Sequence, residues 1–489
     1  MANYRYFWDL QNSQAYTNHT VKQFDANTTT GGGMFKWVDV IDNTAIINIP
    51  GIRIKPTSNI KGYWERVIDG PWLVDWFGCN NSASQLTLTG YGFTTLQINT
   101  MFNSINKDVD GNTATGLNTV VGTDTYDTAA MKVAFNLMQL GYTTSIQFLS
   151  KDYYITSTCN LPLNYYSAAL RPSNPYVITG NGAQITVHSS QNTAVFILWD
   201  RPLTGVVQAN NQLNAKFIID GLNFKGYSAL TNFYQTGIRL GATTNSKITN
   251  VSFADLIRGV VFSYSYDIEL SNIVCNNVPT GLTSSIGFWT GATALNSRNK
   301  DVLINKFRYS FNNSGGTGIE VTSGVENSLA IKDSFIDITS TTSTQGIFID
   351  SAEPTRSITI DTLTINCTGP TLATSKAISI ATNNSNIQIN NIVNNSASIL
   401  ISSIVQYAGA SNITVRNISR VNASSTFEYT ESGGGYLQWL FENSRGFNPT
   451  DLSEWEGASV PANAAWTADG PAGLSTTRLR ASYPFYSRG

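Results

Sequence analysis

The sequence predicts an all-β chain whose main body is a parallel β-helix, a solenoid of stacked coils. Three observations carry this. A two-part phrase of short, alternately apolar segments recurs at intervals of about 22 to 33 residues from roughly Asp200 to Ser424. The inward positions of these phrases are Ile, Leu, Val or Phe, and the positions between them are mostly Asn, Ser and Thr. Only one segment of the chain reads with a clear helical period. A single coil cannot bury its apolar side, whereas stacked coils can, so the repeat and the fold explain one another.

Taken in order, the first 78 residues are rich in aromatics, among them Tyr4, Tyr6, Phe7, Trp8, Phe35, Trp37, Trp64, Trp72, Trp76 and Phe77. They read as a small N-terminal module of short strands, with Pro50-Gly51 as a turn that stops one of them. Residues 79–121 alternate weakly and read as a linker or insertion with strands of its own. Residues 122–199 then hold a capping helix and the start of the β-helix. Thr128, Ala129, Met131, Ala134, Phe135, Leu137 and Met138 form a stripe at three-to-four residue spacing, with Asp127 as the expected cap and Gly141 as the stop. Strands are expected at Thr144–Leu149 and Tyr153–Thr156.

The β-helix itself is assigned to residues 200–432. Its phrases include Phe217 to Phe224 with Gly237 to Leu240, Ser246 to Phe253 with Gly259 to Phe262, and Asp301 to Phe307 with Gly318 to Val321. Later copies are Ser328 to Ile338 with Gly346 to Ile349, and Ser357 to Ile365 with Ala377 to Ile380. After Gly433-Gly434-Gly435 the pattern breaks, and residues 433–489 read as a C-terminal cap or trimerisation region.

Composition removes several function classes. Charged residues are 13% of the chain, against about 25% in ordinary soluble domains. Lys+Arg 30 and Asp+Glu 32 leave a formal charge of -2, so no global field draws nucleic acid or an anionic membrane. A surface wetted by hydroxyls and amides suits an extracellular protein that contacts sugars. Cys79, Cys159, Cys275 and Cys367 are widely spaced and form no metal pattern, and they read as isolated buried thiols. His19 and His188 are the only histidines, and neither has the surroundings of a triad or zinc site. No metal or other cofactor is expected. Met1 to Tyr16 has no apolar secretion-signal core and no stretch is long enough for a membrane helix, so delivery by other means, without membrane insertion, is expected.

Two phrases carry a family resemblance. Gly62-Tyr63-Trp64-Glu65-Arg66-Val67-Ile68-Asp69-Gly70-Pro71 leads to Val74-Asp75-Trp76-Phe77-Gly78. Further on, Gly122-Thr123-Asp124-Thr125-Tyr126-Asp127 leads into the helix and then to Ile146-Gln147-Phe148-Leu149-Ser150-Lys151-Asp152-Tyr153-Tyr154-Ile155. Together these resemble the start of the pectate-lyase-like β-helix in bacteriophage tailspikes, although about forty residues separate motifs that the family usually keeps nearly contiguous. The resemblance implies a right-handed β-helix, a homotrimer, and attachment to a phage tail or baseplate protein through the N-terminal region. It also implies action at the host surface on capsule or lipopolysaccharide, by hydrolysis or by lyase chemistry, or binding without cleavage as a glycan-receptor spike.

A hydrolase needs one carboxyl to protonate the leaving oxygen and a second to activate water or attack carbon. Aligning the inward pairs Ile238/Leu240, Val260/Phe262, Ile286/Phe288, Ile319/Val321, Ile347/Ile349 and Ile378/Ile380 places Arg239, Val261, Gly287, Glu320, Phe348 and Ser379 in one outward column. The next outward column then holds Gly241, Ser263, Trp289, Thr322, Asp350 and Ala381. Glu320 and Asp350 become the expected catalytic pair, offset by one coil and two residues, about 8 Å between backbones. Trp289 and Arg239 are expected to bind substrate through ring stacking and a carboxylate contact, and Glu326, Glu353 and Arg356 to line the groove from the turns. Outward carboxylates on a solenoid are ordinarily solvated surface; the shared face and the low background charge single these two out. No Lys/Arg/His base cluster speaks for β-elimination, so hydrolysis is preferred over a lyase.

Overall fold

A computed structural model describes residues 2–13, 18–41, 46–58, 60–105, 118–162, 174–187, 194–199, 215–226, 236–263, 265–277, 285–290, 299–313, 316–321, 325–340, 344–351, 357–368, 375–382, 386–394, 399–405, 410–420, 427–431, 436–442 and 477–481. The chain divides into two compact units, Met1–Tyr227 and Ser228–Gly489.

In the first unit the aromatic-rich segment forms a five-stranded sheet. Ala2–Tyr6 pairs in parallel with His19–Gln23, which pairs antiparallel with Gly31–Asp39. Gly62–Arg66 and Arg53–Ile54 extend the sheet antiparallel. Phe7, Phe24, Phe35 and Trp64 are fully buried in it. Arg66 is buried beside them, and its guanidinium donates to the carbonyls of Gly31, Gly32 and Gly51. It also lies over the rings of Phe35 and Trp76. A charge taken from water is tolerated there because every face of the fork has a partner.

Residues 79–105 fold against this unit with a short helix, α1, over Thr95–Met101. Its start is a capping box: Thr94 Oγ1 accepts from Gln97 N (3.3 Å) and Gln97 Oε1 accepts from Thr94 N (2.9 Å). The expected strands of this segment are therefore replaced, in its described part, by a helix whose Thr-x-x-Gln signature is present in the sequence.

The main helix, α2, spans Tyr126–Gln139. It is buried from Tyr126 to Met138, which is the pattern of a helix enclosed on all sides. Its cap is Thr125, whose side chain accepts from Thr128 N, and not Asp127 as the sequence led us to expect. Asp127 sits in the first turn and ties separate segments together. Its carboxylate accepts from Asn80 N (2.8 Å), Asn81 N (3.1 Å), Gln85 Nε2 (2.8 Å) and Tyr154 N (2.8 Å). The two phrases separated by forty residues in sequence thus meet in space. Asp75, in the short helical turn Val74–Phe77, accepts from the Tyr153 hydroxyl and from Lys151, both in the stretch that follows α2. The buried Lys132 is neutralised by Asp124 at 2.8 Å. After α2, Ser145–Gln147, Asp152–Ile155, Tyr176–Val187 and Phe217–Lys225 stack in parallel, as do Cys159–Pro162 and Ala194–Trp199. Cys79, Cys159 and Cys275 are buried thiols outside any disulfide, and burial pushes Cys159 up to about 12, so these are inert core atoms.

The second unit is two all-parallel ladders. The first runs through Thr244–Ala254, Tyr266–Asn277, Asn299–Asn313, Val325–Ser340, Ser357–Thr368, Asn386–Asn394, Ala410–Arg420, Tyr436–Glu442 and Thr477–Ala481. The second runs through Thr236–Gly241, Arg258–Ser263, Ser285–Thr290, Gly316–Val321, Thr344–Ser351, Ser375–Thr382, Ile399–Val405 and Phe427–Glu431. Sequence order alternates between the ladders, which is a parallel β-helix. Inward columns such as Ile248, Leu270, Ile304, Ile331, Ile360 and Ile389 are 0% exposed. Each such side chain contributes about 1.5 to 3 kcal/mol by burial, and only because the next coil is there to cover it.

The long strands of the first ladder bend at one position. Asn250 (φ 53), Asn272 (φ 55), Lys306 (φ 53), Asp333 (φ 48), Thr362 (φ 55) and Asn391 (φ 55) all have left-handed backbone, and the register stacks them above one another. Asn and Asp are the non-glycine residues that enter this region most readily. Asn272 Nδ2 also donates to Asn250 Oδ1 on the coil before it (2.7 Å). The Asn residues of this stack therefore meet a backbone requirement of the coil.

Candidate functional site

The second ladder carries the expected site residues, and its register corrects their alignment. Arg258 pairs with Ile286, Val260 with Phe288 and Val261 with Trp289; Phe288 then pairs with Ile319 and Trp289 with Glu320. The strand Ser285–Thr290 is thus displaced by two residues from the sequence alignment. Phe288 and Thr290, not Ile286 and Phe288, occupy the places opposite Val260 and Phe262. Trp289, not Gly287, stands in the column of Arg239 and Glu320.

That column reads Arg239, Val261, Trp289, Glu320, Phe348, Ser379, Ser402 and Glu428 on successive coils. Glu320 is half-buried and lies between two aromatic positions, Trp289 before it and Phe348 after it. Phe348 is half-buried too and points away from the core, since its neighbours Ile347 and Ile349 are the buried ones. It was not singled out in the sequence, although its outward parity was visible there.

Glu320 pairs with Phe348, so Asp350 lies one coil on and two residues along, opposite Ala381. With about 4.8 Å between strands and about 6.6 Å for two residues, the two backbones are about 8 Å apart. Arg239 is exposed and three coils from Glu320, about 14 Å away along the stack. It does not adjoin the pair.

Glu326 does not line this column. It belongs to the strand Val325–Ser340 of the other ladder, where its carboxylate pairs with Lys300 at 2.9 Å. Lys300 Nζ in turn lies 4.9 Å from the centroid of the Tyr266 ring, on the preceding coil. The other ladder resumes at Val325, so Glu326 is already a strand residue and not part of a turn. Glu353 and Arg356 lie outside the described residues. Among the described residues no group of three or more His, Cys, Asp or Glu is placed to hold a metal ion, and no helix is long and apolar enough to cross a membrane.

No protein-family model and no curated sequence matches the chain. Solved structures do. The tailspike protein of Acinetobacter baumannii phage AM24 is 12% identical with a TM-score of 0.50, over 92% of this chain and 66% of its own. Full-length tailspike protein 2 of Escherichia coli O157:H7 bacteriophage CAB120 is 13% identical with a TM-score of 0.46, over 90% of this chain and 51% of its own. A glycan biofilm modifying enzyme of Pantoea stewartii, described as having a bacteriophage tailspike-like parallel β-helix, is 12% identical with a TM-score of 0.39, over 92% of this chain and 49% of its own. The chain has the parallel β-helix fold found in bacteriophage tailspikes. It spans about half the length of the CAB120 tailspike.

Proposed function

We propose that this chain is a phage tailspike depolymerase that binds and hydrolyses a bacterial surface polysaccharide, capsule or lipopolysaccharide. The observation that carries the reading is the placement of two carboxylate positions, Glu320 and Asp350, on adjacent coils of one ladder, with aromatic positions on either side of Glu320. Inversion at the sugar carbon needs two carboxyl groups roughly 6.5 to 9.5 Å apart with a water between them, and backbones about 8 Å apart on one ladder allow that spacing. One of the pair protonates the leaving oxygen while the other removes a proton from that water. Trp289 and Phe348 are assigned to stacking on sugar rings beside the acid, and Arg239, three coils away, to a more distant part of an extended chain. In this reading the molecule works as a homotrimer on the virion tail, attached through its N-terminal region to a tail or baseplate protein, and acts outside the host cell.

The test is incubation of the purified protein with capsule and lipopolysaccharide from candidate hosts, following new reducing ends, unsaturated-uronate absorbance and product mass together. Shortened products with new reducing ends and no unsaturated sugar are expected. Shortened products that absorb would replace hydrolysis by β-elimination. Tight binding to a glycan that stays uncut would replace the depolymerase by a receptor-binding spike.

A further inference from the structure

The first ladder of the second unit carries an outward column on the far side of each bend from the Lys300–Glu326 pair. It reads Ser252, Val274, Arg308, Phe335, Thr364 and Val393 on successive coils. Arg308 is exposed, and its guanidinium carbon lies 5.6 Å from the centroid of the half-buried Phe335 ring on the next coil. Among the described residues no carboxylate pairs with Arg308. Lys247 and Lys300 on the same ladder are instead engaged by Glu269 at 2.6 Å and Glu326 at 2.9 Å. A guanidinium held against a ring has lost much of its freedom, yet its outer N–H groups keep the fork that fits a carboxylate with two parallel bonds.

Two residues along the same strands, Ser310, Asp337 and Asn366 form the adjacent outward column. Asn366 Nδ2 donates to Asp337 Oδ1 at 2.7 Å. Among the described residues nothing donates to the second oxygen of Asp337, so it is an acceptor for a ligand hydroxyl. Arg308 and Asp337 are one coil and two residues apart, about 8 Å by backbone spacing, which a single sugar unit with the two side chains can bridge.

We infer that Arg308, Phe335, Asp337 and Asn366 form a second saccharide subsite, separate from Glu320 and Asp350, that takes a sugar bearing a carboxylate. Arg308 grips the carboxylate, Phe335 meets the apolar face of the ring, and the Asp337–Asn366 pair meets its hydroxyls. The inference rests on the proposed function only in taking the ligand to be a saccharide.

The experiment is saturation-transfer NMR and calorimetry on the full chain with tetramers of glucuronate, galacturonate and mannuronate, each beside its carboxyl-reduced neutral counterpart. At least one acidic tetramer is expected to bind about tenfold or more tightly than its neutral counterpart. Arg308→Gln abolishes that preference, Arg308→Lys restores only part of it, and Phe335→Ala weakens acidic and neutral forms alike. Unfolding midpoints and sedimentation of the variants should match the parent, since both side chains face outward. Binding that ignores the carboxylate, binding unaltered in Arg308→Gln, or no binding to any acidic tetramer overturns the inference. A change of sedimentation in Arg308→Gln also overturns it, because the column would then be a contact between copies. The same titrations on Glu320→Gln separate the two sites: carboxylate preference retained there is independent of whether that variant, or the parent, cuts anything.

Discussion

Thr362 is the least comfortable member of the stacked bend. At φ 55 a β-branched residue holds the left-handed backbone that its stack neighbours Asp333 and Asn391 adopt with more suitable side chains. Replacing it with Asn should relieve about 1 kcal/mol of backbone strain. The new amide would also be able to reach Asp333 on the preceding coil, as Asn272 reaches Asn250, adding about 0.5 to 1 kcal/mol for a solvent-exposed bond. Thr362 is exposed and its hydroxyl makes only a 3.4 Å contact with Asp361, so little is lost in exchange. The sum, about 1.5 to 2 kcal/mol, corresponds to a rise of about 3 to 8 °C in the unfolding midpoint of a unit this size. Circular dichroism through the thermal transition, repeated in denaturant to confirm an unchanged slope, measures it. A midpoint equal to or below the parent's would refute the claim that the Asn-rich stack is a backbone requirement. Lys306→Asn, at φ 53 in the same stack, should shift the midpoint in the same direction and so serves as an internal repeat.

Other outcomes follow from the site and from the buried acid of the first unit. Glu320→Gln and Asp350→Asn should each lower the rate of reducing-end release by about 10² to 10⁴-fold, with glycan binding and unfolding midpoint unchanged; residual activity near the parent's would remove the pair from the chemistry. Glu326→Gln breaks only a partly exposed ion pair, so depolymerisation should be unaffected and stability altered by less than about 1 kcal/mol; a large loss of activity would return Glu326 to the groove. Burial raises the Asp127 carboxyl to about 6, above its ordinary value, against the opposing pull of its backbone donors. Stability from this group is therefore complete below about pH 4 and declines as pH rises toward 6, by about 3 kcal/mol for a shift of about two units. Asp127→Asn should be less stable overall, because one oxygen cannot serve four donors, but its midpoint should fall less between pH 4 and pH 6.5; equal slopes in the two proteins would refute the raised carboxyl.

The solenoid was legible because its inward positions are aliphatic in nearly every coil, and alternation survives whatever the loops do. The capping helix was legible for the same reason at a different period. What failed was local. Asp127 resembles a cap in sequence, but Thr125, two residues earlier, reaches Thr128 N, while the acid is taken by backbone donors from residues 80, 81 and 154, a pairing no local pattern contains. The helix Thr95–Met101 carried its signal in Thr94 and Gln97, three residues apart at the box positions, and was hidden by the weak alternation around it. Lys306 and Thr362 show that a bend imposed by its neighbours in the stack need not be written in the residue that makes it.

The site shows the same division between what parity fixes and what it leaves open. In a strand the side-chain period is two, so a misalignment by two residues keeps every side chain on its face and moves it along the strand by about 6.6 Å. Ser-Ile-Gly-Phe-Trp-Thr offers two inward pairs, Ile286 with Phe288 or Phe288 with Thr290, and hydrophobicity favours the first. The ladder uses the second, because Ile286 is matched to Arg258 and Thr317 near the strand's start and Phe288 to Val260 and Ile319 further along. Trp289 therefore shares a face with Glu320 and Asp350 under either alignment, and only the register moves it from the level of Asp350 to that of Glu320. Which face carries the candidate chemistry was decided by composition; which aromatic stands beside which acid was decided by hydrogen bonds between coils about thirty residues apart in sequence.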